Sequence, residues 1–101
     1  MAELPNATVR KLKAVAQRLD PIAKVGKAGL TSEFLKHLDN SLAAHELIKI
    51  RFEEFREQKH ELSEEIAKQT HSHLVWIVGH VAVFYREKPK EPPAAISEVS
   101  Q

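Results

Sequence analysis

A chain of 101 residues with 43% apolar and 29% charged side chains has the size and balance of one globular domain, able to bury roughly two-thirds of its unfolded surface. The absence of cysteine excludes disulfides, a thiolate nucleophile and a zinc–thiolate site, and no apolar run approaches the length of a membrane span. The net charge of +1 points to no class of partner, but residues 1–52 hold nine Lys/Arg against five Asp/Glu and residues 53–101 hold six against nine, so the basic excess sits in the first half.

The opening MAELPNATVRKLK lacks a hydrophobic signal core. With the lack of cysteine, this leads us to expect an unexported, cytoplasmic protein. Leu12, Val15, Ala16 and Leu19 recur at helical spacing and predict a helix from about Asn6 to Arg18. Asn6, after Pro5, is the candidate cap, and Asp20-Pro21 ends the helix. Ile22–Val25 is a short strand, followed by a Gly26-Lys27-Ala28-Gly29 turn. Thr31 or Ser32 can cap a second helix whose stripe is Phe34, Leu35, Leu38 and Leu42. Leu47–Phe52 alternates as a strand, with Ile48, Ile50 and Phe52 on one side and Lys49 and Arg51 on the other.

Residues 53–59 read as a charged loop, and a third helix is expected over about 58–70 with Leu62, Ile66 and Ala67 inward. Two strands, Leu74–Val78 and Val81–Tyr85, flank Gly79-His80, a two-residue hairpin turn with glycine first, as type II′ prefers. Simple alternation puts Val75, Ile77, Ala82 and Phe84 against the helices, and Trp76, Val78, Val81, Val83 and Tyr85 on a second, partly exposed face. Residues 1–88 then form one domain and 89–101 a flexible Pro-rich tail. The order α-β-α-β-α-β-β predicts a mixed α/β fold, in an α+β two-layer arrangement around a four-stranded mixed sheet.

The chain has only three glycines, and two of them flank Lys27-Ala28. The tetrapeptide alone is explained by a tight strand-to-helix connection. Its setting adds other possibilities: glycines let a backbone approach a ligand, the following helix start presents unpaired N–H groups, and Lys27 adds a mobile cation. Together these are the parts of a phosphate clamp of the GxxG type used on single-stranded nucleic acid. Lys24, Lys49 and Arg51 near the loop, with Arg10, Lys11, Lys13 and Arg18 along the first helix, would extend it as a basic track, unless they form an ordinary solvated surface. Trp76 and Tyr85 could stack on bases or complete a core. The six histidines include an HxH pair, His71 and His73, without a placed third ligand, so they are read as scattered surface residues. No metal, cofactor, small-molecule substrate or catalytic constellation is legible.

The stretch LDPIAKVGKAGLTSEFLKHLDNSLAAHELIKIRF, followed by VWIVGHVAVFYRE, resembles the CRM domain family, as in the YhbY-type bacterial RNA-binding proteins. The resemblance spans about residues 4–88 and rests on GKxGLT followed by HELIK at this spacing. It implies a fold like that of the C-terminal domain of translation initiation factor three. It also implies RNA contact through Gly26, Lys27, Ala28 and Gly29, with Thr31 beside them. By the same resemblance the partner would be large-subunit ribosomal RNA or its precursor particle; the residues themselves lead us to expect no catalysis, and a monomer is expected. The competing expectation is a protein-interaction module using the sheet face around Trp76 and Tyr85.

Overall fold

The computed structural model describes residues 4–88, so the tail expected at 89–101 lies outside the described residues. The elements are α1 (Asn6–Ala16), β1 (Ala23–Val25), α2 (Ser32–His45), β2 (Leu47–Phe52), a 3-10 turn at Arg56–Gln58, α3 (Lys59–Thr70), β3 (His73–Val78) and β4 (Val81–Tyr85). The strands form one mixed sheet in the order β1-β2-β4-β3, with β1 parallel to β2 and β4 antiparallel to both neighbours. This is the expected mixed α/β class.

The main core lies between one sheet face and α2 with α3. Leu38 and Leu42 from α2 and Ile66 from α3 meet Ile48, Ile50 and Phe52 of β2, Val25 of β1, and Ala82 and Phe84 of β4, all buried. Each large side chain buried here contributes about 1.5–3 kcal/mol. The alternation of β2 is borne out, because its odd positions Lys49 and Arg51 face away. Gly79 takes φ +58° while His80 does not enter positive φ, as the glycine-first hairpin requires.

Two expectations about the hairpin are corrected. A β-bulge between Leu74 and Trp76 places Leu74 opposite Phe84 and Trp76 opposite Val83. Leu74, not Val75, therefore joins Ile77 against the core. Further, α1 lies across the second sheet face. Lys13 Nζ sits 5.3 Å from the centre of the Trp76 ring, Lys49 Nζ donates to the Leu19 carbonyl at 2.7 Å, and Val83 is fully buried. The face around Trp76 and Tyr85 is partly exposed, as expected, except at the buried Val83. Both residues are half-buried, and Tyr85 stacks on His73 with ring centres 6.5 Å apart.

The helix itself is shorter and less buried than its pattern suggests. Pro5, not Asn6, occupies the cap position, with no side-chain cap; its carbonyl accepts from Val9 N–H. The helix ends at Ala16, and Arg18 and Leu19 continue only as i→i−3 turns onto Val15 and Ala16. Ala16 is the one α1 residue fully buried, while Val15 is 51% exposed. A narrow contact centred on a small residue covers the middle of the sheet face and leaves the flanks of the stripe open.

Arg86, just past β4, closes the domain. Its Nη1 donates to Asp39 Oδ1 (2.6 Å) and to the Thr70 carbonyl (2.7 Å), and its Nη2 to the Asp39 carbonyl (2.9 Å). One guanidinium thereby ties the sheet to α2 and caps the C-terminal carbonyl end of α3. Its side chain is 25% exposed but that of Asp39 is 53% exposed, so water screens the ion pair and the part-buried bond to the Thr70 carbonyl is the better protected contact. Arg86→Ala is expected to cost about 1.5–3 kcal/mol in urea unfolding. Arg86→Lys should recover little, because an ammonium lacks the planar fork. A loss within about 0.5 kcal/mol for the alanine variant would show that the network does not contribute.

Candidate nucleic-acid interface

The loop Gly26–Gly29 hangs between the end of β1 and the start of α2. Gly29 N–H donates to the Gly26 carbonyl at 3.0 Å, closing the turn, and Thr31 N–H donates to the Gly29 carbonyl at 3.2 Å. Thr31 Oγ1 accepts from Phe34 N–H at 3.0 Å and is the cap of α2, as one of the two expected caps. Leu35 N–H is bonded to the Thr31 carbonyl, which leaves the N–H groups of Ser32 and Glu33 without an intrahelical carbonyl to reach. Lys27 and Ala28 are exposed at the tip.

The two glycines differ. Gly29 has φ +70°, a conformation that an L side chain adopts only with strain, so the turn itself requires it. Gly26 is outside positive φ, and a Cβ placed on it would meet nothing within 4 Å. Neither backbone geometry nor packing within the described residues asks for a glycine there. Gly26 is half-buried, with open space where a Cβ would stand.

The second half of the chain buttresses this loop. The Val25 carbonyl accepts from both Glu53 and Glu54 N–H, at 3.1 and 3.0 Å. Phe55, held at φ +56°, lays its ring 3.6 Å from where a Cβ on Gly29 would sit, and it remains 42% exposed.

The basic residues of the sequence reading are distributed as follows. Strand register sets Lys24 opposite Arg51, one step from the Val25–Phe52 pair that precedes the loop, so these two and Lys27 share one end of the sheet. Lys24 forms an exposed ion pair with Glu53 at 3.4 Å. Lys49 is half-buried and its ammonium joins β2 to the end of α1. Lys13 lies over Trp76 at the opposite edge strand, Arg10 and Lys11 are exposed on α1, and Arg18 is exposed in the turn that follows it.

The sequence reading missed two further cations and a histidine at the loop end. Arg56 Nε donates to the Phe52 carbonyl at 3.4 Å, and Lys59 Nζ donates to the Gly79 carbonyl. His80, in the hairpin turn, accepts at its own carbonyl from Phe52 N–H at 2.7 Å. The imidazole is exposed, and its pKa is lowered from the ordinary histidine range by what desolvation the turn imposes and then by repulsion from Arg56, Lys59 and Arg51. The only signal in the sequence was the i, i+3 spacing of Arg56 and Lys59, hidden among Glu53, Glu54 and Glu57. Among the described residues no group of three His, Asp or Glu could hold a metal ion, and no helix is long and apolar enough to cross a membrane.

A four-stranded mixed sheet with a capped helix behind a GxxG turn is the arrangement expected of a CRM domain. Residues 4–86 match the CRS1/YhbY (CRM) domain, and the chain belongs to that family. It is similar to a probable RNA-binding protein of Pseudomonas aeruginosa, 33% identical over 93 residues, covering 91% of this chain and 88% of the relative. An RNA-binding protein of Haemophilus influenzae is 34% identical over 87 residues, covering 85% of this chain and 88% of the relative. The solution structure of a hypothetical protein from Staphylococcus aureus superimposes with a TM-score of 0.74 at 34% identity, covering 89% of this chain and 95% of that one.

Proposed function

We propose that this protein binds RNA without catalysis, holding a phosphodiester at the backbone of Gly26–Gly29 with Lys27 as counter-charge, and that it acts in the cytoplasm on the precursor of the large ribosomal subunit. The observation that supports the reading is Gly26, where an added Cβ would meet nothing within 4 Å and neither φ nor packing requires a glycine. The free N–H groups at the start of α2 and the cations Lys24 and Arg51 at the same sheet end support it. Family membership and the names of the relatives point the same way. Lys49, the α1 residues Arg10, Lys11 and Lys13, and Arg18 just beyond the helix would lengthen the track, with Lys49 acting mainly by fixing the turn after α1 to the sheet.

The test is crosslinking of the purified protein to total cellular RNA with the sites mapped on both molecules. Enrichment of large-subunit precursor RNA, joined through residues 24–31, is the expected result. Recovery of scattered messenger RNA with no ribosomal enrichment would remove the assembly role. Crosslinks confined to the outer face of α1 would remove the loop.

A further inference from the structure

We propose that Arg51, Arg56, Lys59 and His80 form a second phosphodiester position beside the glycine loop, so that the bound strand continues from β1 across the sheet end to the β3–β4 turn. The inference rests on the RNA-binding reading above and adds a site to it. Backbone contacts converge the four residues: Arg56 is pinned to the Phe52 carbonyl, Phe52 N–H to the His80 carbonyl, Lys59 to the Gly79 carbonyl, and Arg51 pairs in register with Val81, the residue after His80. Each pinned cation uses one donor and keeps the rest. Arg56 retains both terminal amino groups and Lys59 two ammonium hydrogens. Such anchoring holds the charges in place before a ligand arrives, which lowers the ordering cost of binding.

No carboxylate among the described residues lies within ion-pair distance of the four residues, although Glu53, Glu54 and Glu57 line the same surface as Arg56. Among the described residues the only ion pairs are Lys24 with Glu53 and Arg86 with Asp39. Of the carboxylates on the adjoining connection, Glu53 is therefore engaged elsewhere, and Glu54 and Glu57 pair with none of the four residues. The charges that bear on the imidazole are Arg56 from the 3-10 turn, Lys59 from α3 and Arg51 from β2, all positive. Like charges converging on one turn are a cost in the free protein, and an anion relieves it.

A pH dependence follows. His80 is neutral at pH 8 and takes up a proton in acid; a phosphodiester beside it favours the protonated form and raises its pKa in the complex. The added affinity is therefore complete below the pKa of the free protein and is lost as pH rises through that of the complex. One proton bounds the gain at about tenfold per pH unit.

The experiment measures binding of a single-stranded RNA oligonucleotide by anisotropy against salt at pH 8, and against pH from 8 to 5.5, with circular dichroism as the fold check. Arg56→Gln/Lys59→Gln should flatten the slope of log affinity on log salt by about 0.7, the value for one phosphate contact on a single strand. His80→Asn should keep the wild-type affinity at pH 8 and lose that part of the acid gain which the other histidines do not supply. Equal salt slopes for wild type and double variant, or an unchanged pH profile in His80→Asn, would overturn the second position while leaving the glycine loop intact. Wild-type protein that binds no RNA would overturn both. If millimolar inorganic phosphate shifts the His80 ring resonances as fully as RNA does, the position belongs to a free anion and the continuous strand path is wrong.

Discussion

Lys27→Asp/Ala28→Asp is expected to lower RNA affinity by well over tenfold while the domain keeps its stability. Each charge-assisted contact to a phosphate contributes about 1.5–3 kcal/mol, and this double change removes one cation and adds two anions at the tip of the clamp. The fold should tolerate it. Both residues are exposed, and aspartate is at home in turns, so the change in unfolding free energy should stay within about 0.5 kcal/mol. Gly26→Ala is the finer probe, since the added methyl meets only open space in the free protein yet stands where a ligand would approach. Filter binding or anisotropy at fixed salt reads both variants. A folded double variant with wild-type affinity would take the phosphate away from this loop.

Phe52→Ala should cost about 3–5 kcal/mol, a large share of the roughly 5–15 kcal/mol that holds a domain of this size together. Phe52 is fully buried at the end of β2, in the cluster with Val25, Leu38 and Ile66. Its backbone also carries the Arg56 and His80 contacts, and its register partner Val25 leads directly into the glycine loop. A cavity there loosens the floor beneath the candidate site as well as the core. Urea unfolding should show a lower midpoint at unchanged slope. A shift worth less than about 1 kcal/mol would mean that α2 and α3 collapse onto the gap or that the side chain is not the keystone its burial indicates.

The elements with a sharp polar–apolar contrast were readable from sequence. β2 alternates Ile48, Lys49, Ile50, Arg51, so its faces can be assigned without knowing the fold, and Thr31 ahead of an apolar stripe marks the start of α2. In Leu74–Val78 every residue is apolar, and no polar side chain marks the phase. The bulge that exchanges Leu74 for Val75 at the core leaves no trace in such a run. Periodicity in α1 identified an apolar stripe but could not say which sheet face would receive it. The geometry of the glycine loop was legible as a turn, whereas the difference between Gly26 and Gly29 required backbone angles. Arg56 and Lys59 were obscured because their neighbours are acidic, and only the 3-10 turn folds them back over the sheet end.

The thin attachment of α1 has a consequence for how the domain opens. An uncapped helix of 11 residues with no acidic side chain in its first turn is marginal by itself. It is held by one fully buried alanine, the Lys49–Leu19 bond and the Lys13–Trp76 contact, while the rest of the chain closes around an independent core. Amide hydrogens of α1 are expected to exchange ahead of those of the sheet, α2 and α3 in a hydrogen-exchange measurement, through an opening that costs less than release of the whole domain. An opening of α1 alone would uncover the sheet face that carries Trp76 and the buried Val83.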